Sequence, residues 1–320
     1  MNEQTTFAKG QELDIFSADL RPMQYWHTKA EEKLARWETG VPEGYSTGFT
    51  GLDKLFRLTN SDLTVIAARP SMGKTALGMQ MVESLSKQVA VEDEPGCVAV
   101  FSAEMSGWSL FLRMASAACG VDTYKLSINQ GLPGDAGKLR SAMQQLRELS
   151  IWIDDSTSPS TSEMLTQLYR LNESIPIRAM MFDFLELGAR EQRQSNEEQR
   201  ISAIAVNLKG IAKSIDIPVI ALSQLSRGVE DRANKMPILS DLRYSGMIEQ
   251  IADNIAFIMR PEYYAERGMS VDAPAEDLKG VAYIQVAKHR NGPVGLAKLA
   301  FVKEAAKFGN LERHRVELNK

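Results

Sequence analysis

The run Ala68-Arg69-Pro70-Ser71-Met72-Gly73-Lys74-Thr75 carries the residue types of a phosphate-binding loop, with alanine where the first glycine usually stands. Such a loop turns its backbone N–H groups toward a phosphate at the positive end of a helix. Gly73 allows close approach, Lys74 neutralises β- and γ-phosphate oxygens, and Thr75 offers a hydroxyl to Mg²⁺. The residues 68–75 together therefore form the expected ATP cradle. A metal-side carboxylate is also needed, and Asp183 at the end of Met180-Met181-Phe182-Asp183 can orient the water shell of Mg²⁺. Hydrolysis further needs a group that polarises the attacking water. Glu104 is the best candidate, because Ser102-Ala103-Glu104-Met105 follows the second strand and so opens on the same sheet edge, and Glu186, three residues after Asp183, is the rival. Gln224, in Ser223-Gln224, could sense the γ-phosphate through a neutral amide.

These groups must be set on one edge of a sheet, and the chain has the pattern for it. Leu63–Ala67, Cys97–Phe101, Ile151–Ile153, Ala179–Phe182, Pro218–Leu222 and Asn254–Met259 are short apolar runs that read as buried strands. Helical periodicity fills Leu110–Ala118, Gly137–Leu149, Ser162–Leu171 and Asn196–Ile215, and a further helix starts at Thr75. Continuous apolar strands alternating with helices predict an α/β fold with a mostly parallel central sheet covered by helices on both faces. Val281–Ala287 and Gly295–Phe301, joined through Asn291-Gly292-Pro293, predict a closing β-hairpin. Residues 1–44 read as an arm and one amphipathic helix: Met23, Trp26, Ala30, Leu34 and Trp37 recur at helical spacing, and Gly40 and Pro42 end it. That apolar face would pack on its own domain or on a neighbouring copy. Residues 45–320 form one domain.

Composition narrows the class. With 320 residues, 44% hydrophobic and 24% charged, the chain is an ordinary globular protein without a membrane-length apolar run. No signal-peptide core opens it, so a cytoplasmic location is expected. Cys97 and Cys119 sit in small or apolar contexts and read as reduced core thiols. A net charge of −4 argues against a broad basic surface, although nine Lys or Arg face only three Glu between Lys279 and Lys320.

Taken together, these strings resemble the C-terminal RecA-like motor domain of the DnaB-type replicative helicases. The resemblance runs from Thr47-Gly48-Phe49 to about Leu311. It covers the phosphate loop, Phe101-Ser102-Ala103-Glu104-Met105, Phe182-Asp183-Phe184-Leu185 and Ala221-Leu222-Ser223-Gln224-Leu225-Ser226-Arg227. It also covers Ser240-Asp241-Leu242-Arg243, Ile248-Glu249-Gln250 and Ala287-Lys288-His289-Arg290-Asn291-Gly292-Pro293. Alanine at the head of the phosphate loop is usual in that family. The resemblance implies a RecA-like P-loop NTPase using ATP and Mg²⁺, assembled as a homohexamer with nucleotide at each subunit interface. It assigns Glu104 as catalytic base, Gln224 as sensor, and Lys288 and Arg290 as cations that reach a neighbour's γ-phosphate. It places single-stranded DNA against segments 188–196 and 227–246, with Arg243, Tyr244 and Gly246 at the backbone-gripping positions, and implies 5′-to-3′ movement at a replication fork.

The sequence departs from that family at four places: Tyr244 for an acidic residue, Ile251 for Asp, His289 for Gln and Glu186 for Gln. The family's N-terminal collar, which commonly engages primase, has no counterpart, so a helicase loader and other replisome proteins are the expected protein partners and primase is not. A RecA-like recombination or repair ATPase shares this nucleotide chemistry, and would make a filament that exchanges strands. A nucleotide-gated adaptor of a host helicase would show no stimulation of hydrolysis by DNA.

Overall fold

The computed structural model describes residues 21–91, 95–188, 196–242 and 245–311. Chain contacts fall into two units, Met1–Pro42 and Glu43–Lys320. The first contains α1 (Met23–Glu38), with Pro22 before its first turn and an i,i+3 pair between Lys29 and Glu32. Gly40, at φ +69°, accepts the left-handed conformation that stops it, donating its N–H to the Trp37 carbonyl.

The second unit is built on nine strands: β1 (Leu63–Ala68), β2 (Cys97–Ser102), β3 (Ile151–Asp154), β4 (Ile177–Asp183), β5 (Val219–Gln224), β6 (Asn254–Met259), β7 (Val281–His289), β8 (Gly295–Val302) and β9 (Lys307–Asn310). Their order is β3-β2-β4-β5-β1-β6-β7-β8-β9, parallel from β3 to β6 and antiparallel from there on. Helices α2 (Thr50–Asp53), α3 (Lys74–Val89), α4 (Gly107–Cys119), α5 (Thr123–Ser127), α6 (Asp135–Leu146), α7 (Thr161–Asn172), α8 (Glu197–Ile215), α9 (Ser245–Ile251) and α10 (Pro261–Ala265) complete it. The mostly parallel sheet, its helical cover and the closing hairpin match the expectation. Five elements had not been foreseen: β9, which extends the hairpin, and the short helices α2, α5, α9 and α10. Their runs are too short for a period to show.

β1, β2 and β5 are buried almost throughout, as strands covered on both faces must be. One face, with Ile66, Val98, Val100, Met181, Ile220 and Leu222, joins Leu77, Met81, Val82 and Leu85 of α3 in the principal core. Each such side chain contributes on the order of 1.5–3 kcal/mol when fully buried. Gly78 sets the depth of α3: a Cβ there would stand 2.8 Å from the Met181 sulfur. A glycine in mid-helix costs roughly 1 kcal/mol against alanine, less than the ~1–3 kcal/mol of overpacking. Closeness to the sheet wins. The opposite face is covered by α8, whose Ile201, Ile204, Leu208 and Ile211 are buried.

The parallel strands all point one way, so the chain leaves β1, β2, β4, β5 and β6 on a common edge. The neighbours of β1 there are β5 and β6, which places the turn after β1 at the point where the chain's path across the sheet reverses, the position where open α/β sheets form their crevice. No helix among the described residues is long and apolar enough to cross a membrane.

Candidate functional site

At that edge the chain leaves β1, crosses 69–73 and enters α3 at Lys74. Gly73 has φ +96° as the residue before the helix, and Ser71 is left-handed as well at φ 67°. The left-handed residues curl the loop above the helix N-terminus, where the N–H groups of the first turn lack helical partners. Met72 is turned into the core, while Arg260 donates from Nη1 to the Ser71 carbonyl at 3.1 Å and stiffens the crest. Arg69 points away from the helix axis: it pairs with Glu230 at 2.8 Å and donates to the Leu225 carbonyl at 3.0 Å. Its side chain is a strut for the segment after β5.

Parallel pairing brings the remaining groups to the same place. Ser102 of β2 lies opposite Asp183 of β4, and Ala68 of β1 opposite Gln224 of β5. Asp183 is fully buried and accepts the Thr75 hydroxyl at 2.7 Å through Oδ2. Its Oδ1 stands 4.0 Å from the Lys74 ammonium and has no hydrogen-bond partner. The ammonium itself lies 3.8 Å over the Phe184 ring. Burial pulls Lys74 below the ordinary lysine range, opposed by Asp183, Glu186 and Glu104. The same burial pushes Asp183 above the usual carboxylate range, opposed by Lys74 and the Thr75 hydroxyl. The desolvated pair gains from a ligand that brings both negative oxygens and a cation. A hydroxyl and a carboxylate oxygen with one orphaned acceptor are hard oxygen donors, and they fit Mg²⁺.

The two candidate bases separate. Glu104 is exposed and lines a cavity of ≈ 830 Å³ together with Ala68, Gly73, Lys74, Thr75 and Gln224. The turn that carries it is tightened by Ser102, whose hydroxyl donates to the Met105 carbonyl at 2.8 Å. Glu186 instead accepts from the Ser223 hydroxyl and the Gln224 N–H, each at 2.8 Å, and ties β4 to β5. The cavity also takes in Arg113 of α4, Arg260, Tyr263, Arg267 and Lys303, none of which sequence reasoning singled out. A signal was available: Pro261, directly after β6, starts a helix on the phosphate-loop edge.

Lys288 and Arg290 lie elsewhere. His289 pairs with Asn254 at the start of β6, whereas Ala68 pairs with Ile258 near its end. Four residues of strand put about 13 Å between those levels. The two cations thus occupy the sheet edge opposite this chain's own phosphate loop. Lys288 donates to the Glu249 and Ala252 carbonyls at 2.6 Å each, capping α9, and Arg290 pairs with Asp253 at 2.9 Å.

Of the DNA-contact positions, Gly246 falls in the first turn of α9, with open space around its Cα. Arg243 and Tyr244 lie outside the described residues, as does most of 188–196. The ends of that second segment are fixed: Arg200 donates to the Gly188 carbonyl, and Asn196 caps α8 by accepting the Gln199 N–H at 2.8 Å. Within 227–242, Arg232 forks onto the buried Asp241 and donates to the Met236 carbonyl at 3.1 Å. Its charge shapes the loop. Cys97 and Cys119 are unpaired thiols, and burial pushes Cys97 up to about 11.

Residues 44–310 match the family model of the DnaB-like helicase C-terminal domain. The replicative DNA helicase DnaB of Geobacillus stearothermophilus is 40% identical over 277 residues, and the replicative DNA helicase DnaC of Bacillus subtilis 42% over the same length. In each case 86% of this chain is matched, and it spans 57% of the relative's length. Among solved structures, the ATPase domain of G40P superposes with a TM-score of 0.80 at 33% identity, covering 92% of this chain and all of that one. A DnaB-like replicative helicase, described with its interactions with primase, gives 0.77 at 33% identity over 92% of this chain and 67% of its own.

Proposed function

Because this chain belongs to the DnaB-like helicase C-terminal domain family, we propose that it hydrolyses ATP to move along single-stranded DNA as the motor of a replicative helicase. The observation that carries this reading is the division of charged groups between the two sheet edges. The phosphate loop, Asp183, Glu104 and Gln224 sit on one edge, while Lys288 and Arg290 sit on the other. Cations so placed serve a phosphate only when it belongs to another copy, which favours a ring with ATP at each subunit interface.

The residues then have separable tasks. Backbone N–H groups of 69–74 other than Pro70, together with the Lys74 ammonium, hold the β- and γ-phosphates, and burial strengthens each contact. Thr75 and Asp183 would hold Mg²⁺, which when bound shields the phosphate oxygens from the entering nucleophile. Glu104, free of internal partners in the cavity wall, orients water and takes up its proton. Gln224 stands where γ-phosphate loss is felt, and its N–H is linked through Glu186 to β4. Arg290 and Lys288 of the neighbouring copy stabilise the charge that spreads as the γ-phosphoryl leaves. DNA is held through its phosphates at 243–246, so any sequence is accepted. Movement is 5′-to-3′, with a helicase loader or other replisome proteins as partners, in the cytoplasm where replicating DNA lies.

The test is a mixing assay. Arg290→Ala should lower kcat by about 10³-fold with nucleotide binding kept. Mixing it with a Glu104→Gln subunit should restore sites at which a wild-type Arg290 faces a wild-type Glu104. Absence of any recovery, or full-speed hydrolysis by a monomer with ATP and a long oligonucleotide present, would sink the reading. Negative-stain images with both ligands should show closed rings.

A further inference from the structure

Asp253, the residue before β6, is 2% exposed and lies beneath Arg290. Its backbone is fixed on both sides: its N–H donates to the Leu63 carbonyl at 2.9 Å, and its carbonyl accepts the Arg290 N–H at 2.8 Å. Its two carboxylate oxygens are divided among three partners. Oδ2 accepts the Leu63 N–H at 2.8 Å and the ammonium of Lys209, which is itself held by the Ser61 carbonyl at 2.7 Å. Oδ1 is left for Nη1 of Arg290 at 2.9 Å. The arginine side chain remains 55% exposed, so the rest of its guanidinium faces outward.

We propose that Asp253 is a positioning residue for hydrolysis: through its carboxylate and its carbonyl it aims the Arg290 guanidinium at the neighbouring copy's nucleotide. The inference rests on the trans-acting reading of Arg290 given above. Magnitudes favour positioning over a stabilising role. A pair with a half-exposed arginine contributes roughly 0–1 kcal/mol. The charge of Asp253 is already paired by Lys209 on Oδ2, where the Leu63 N–H also donates, so Arg290 serves only the remaining acceptor Oδ1. The consequence for Arg290 is larger. A free arginine side chain loses about 2 kcal/mol of rotamer entropy when fixed, and a displacement of about 1 Å from the reacting charge costs on the order of 100-fold in rate. One anchored Nη1 sets the direction of the fork while leaving its outer N–H groups for phosphate. Lys209, by occupying Oδ2, keeps Asp253 from taking both arms.

Asp253→Asn should lower kcat about 10- to 100-fold, with KM for ATP changed less than about 3-fold, since the arginine is misaimed and the neighbour's cradle is intact. The deciding measurement is the double variant with Arg290→Ala, assayed with MgATP and a single-stranded oligonucleotide. If Asp253 acts through Arg290, the pair should be no slower than Arg290→Ala alone, within about 2-fold. Effects that multiply would show a separate structural role and overturn the proposal. Where the amide variant does not fold, Asp253→Glu keeps the charge for Lys209 but moves the anchor by one methylene, and the same comparison applies. An unchanged kcat in a folded Asp253 variant, beside an impaired Arg290→Ala, refutes this inference alone. An unimpaired Arg290→Ala refutes the trans-acting reading, and this inference with it.

Discussion

The two edges of the central sheet are built on different principles. On the phosphate-loop edge, eight consecutive residues supply the cradle, and the only distant groups it needs sit at the ends of neighbouring parallel strands. On the opposite edge, Arg290 is arranged by Asp253, Lys209 and Leu63, which are spread over 190 positions of sequence. The first edge gathers its cradle and carboxylates within one chain and, in the proposed ring, lacks only its ligands and the neighbour's cations. Its desolvated Lys74–Asp183 pair is poorly satisfied without them. The second is internally satisfied and has work to do only beside another copy. Function strains one edge and leaves the other well paired.

That contrast can be broken most directly at Lys74. Lys74→Ala should abolish hydrolysis, by about 10³-fold or more, while thermal stability changes little or rises, because a buried and under-paired cation has been removed. Unimpaired turnover would reject the assigned site, and a large drop in Tm would show that the edge is not strained. Gly73→Ala comes next. A side chain at φ +96°, with its Cβ 3.0 Å from the Phe308 ring, should cost about 1–3 kcal/mol in urea unfolding and weaken nucleotide binding. A neutral result would mean that the crest of the loop adapts.

On the opposite edge the signs should differ. Lys288→Ala removes a charged cap from the α9 carbonyls and should lose about 1 kcal/mol of stability as well as hydrolysis. Stability kept at the wild-type level would show that Lys288 is held as loosely as the phosphate-loop cations. The smallest effect belongs to Asp62, half-buried and 3.8 Å from Lys209, whose carboxyl is pushed up to about 6 by burial and by Asp253. The folded chain holds this proton up to about pH 6, and the unfolded chain releases it near 4. Native stability should therefore fall as pH rises between those values, by about 1 kcal/mol after solvent screening. Asp62→Asn should flatten this part of the Tm profile measured from about pH 3.5 to about pH 7. An identical profile in the variant would place the titration elsewhere.

Legibility followed chain distance. The phosphate loop could be read because its residues are contiguous and lie between an apolar run and a helical one. Asp183 and Gln224 followed because strand ends in a parallel sheet share an edge. Glu104 was preferred to Glu186 because it follows the second strand onto that edge, but what holds Glu186, the hydrogen bonds from Ser223 and Gln224, could not be read from the residues. Arg260, Tyr263 and Arg267 were signalled only by the helix start at Pro261, and Arg113 and Lys303 gave no pattern, because they meet the cavity from separate elements. Arg69 lies within the expected cradle and Arg232 within the segment expected to face DNA, and tertiary contacts use both as struts.

By itself the sequence determined the layered α/β architecture, the order of its main elements and the identity of the phosphate cradle. These depend on hydrophobic period and on backbone conformations that single residues such as Gly73 permit, both of which are local. The tertiary structure decided which carboxylate faces the cavity, which arginines are bound internally, and that Lys288 and Arg290 lie at the far edge. Those outcomes turn on strand register and on competition among charges for a few buried partners, quantities set only when distant segments meet.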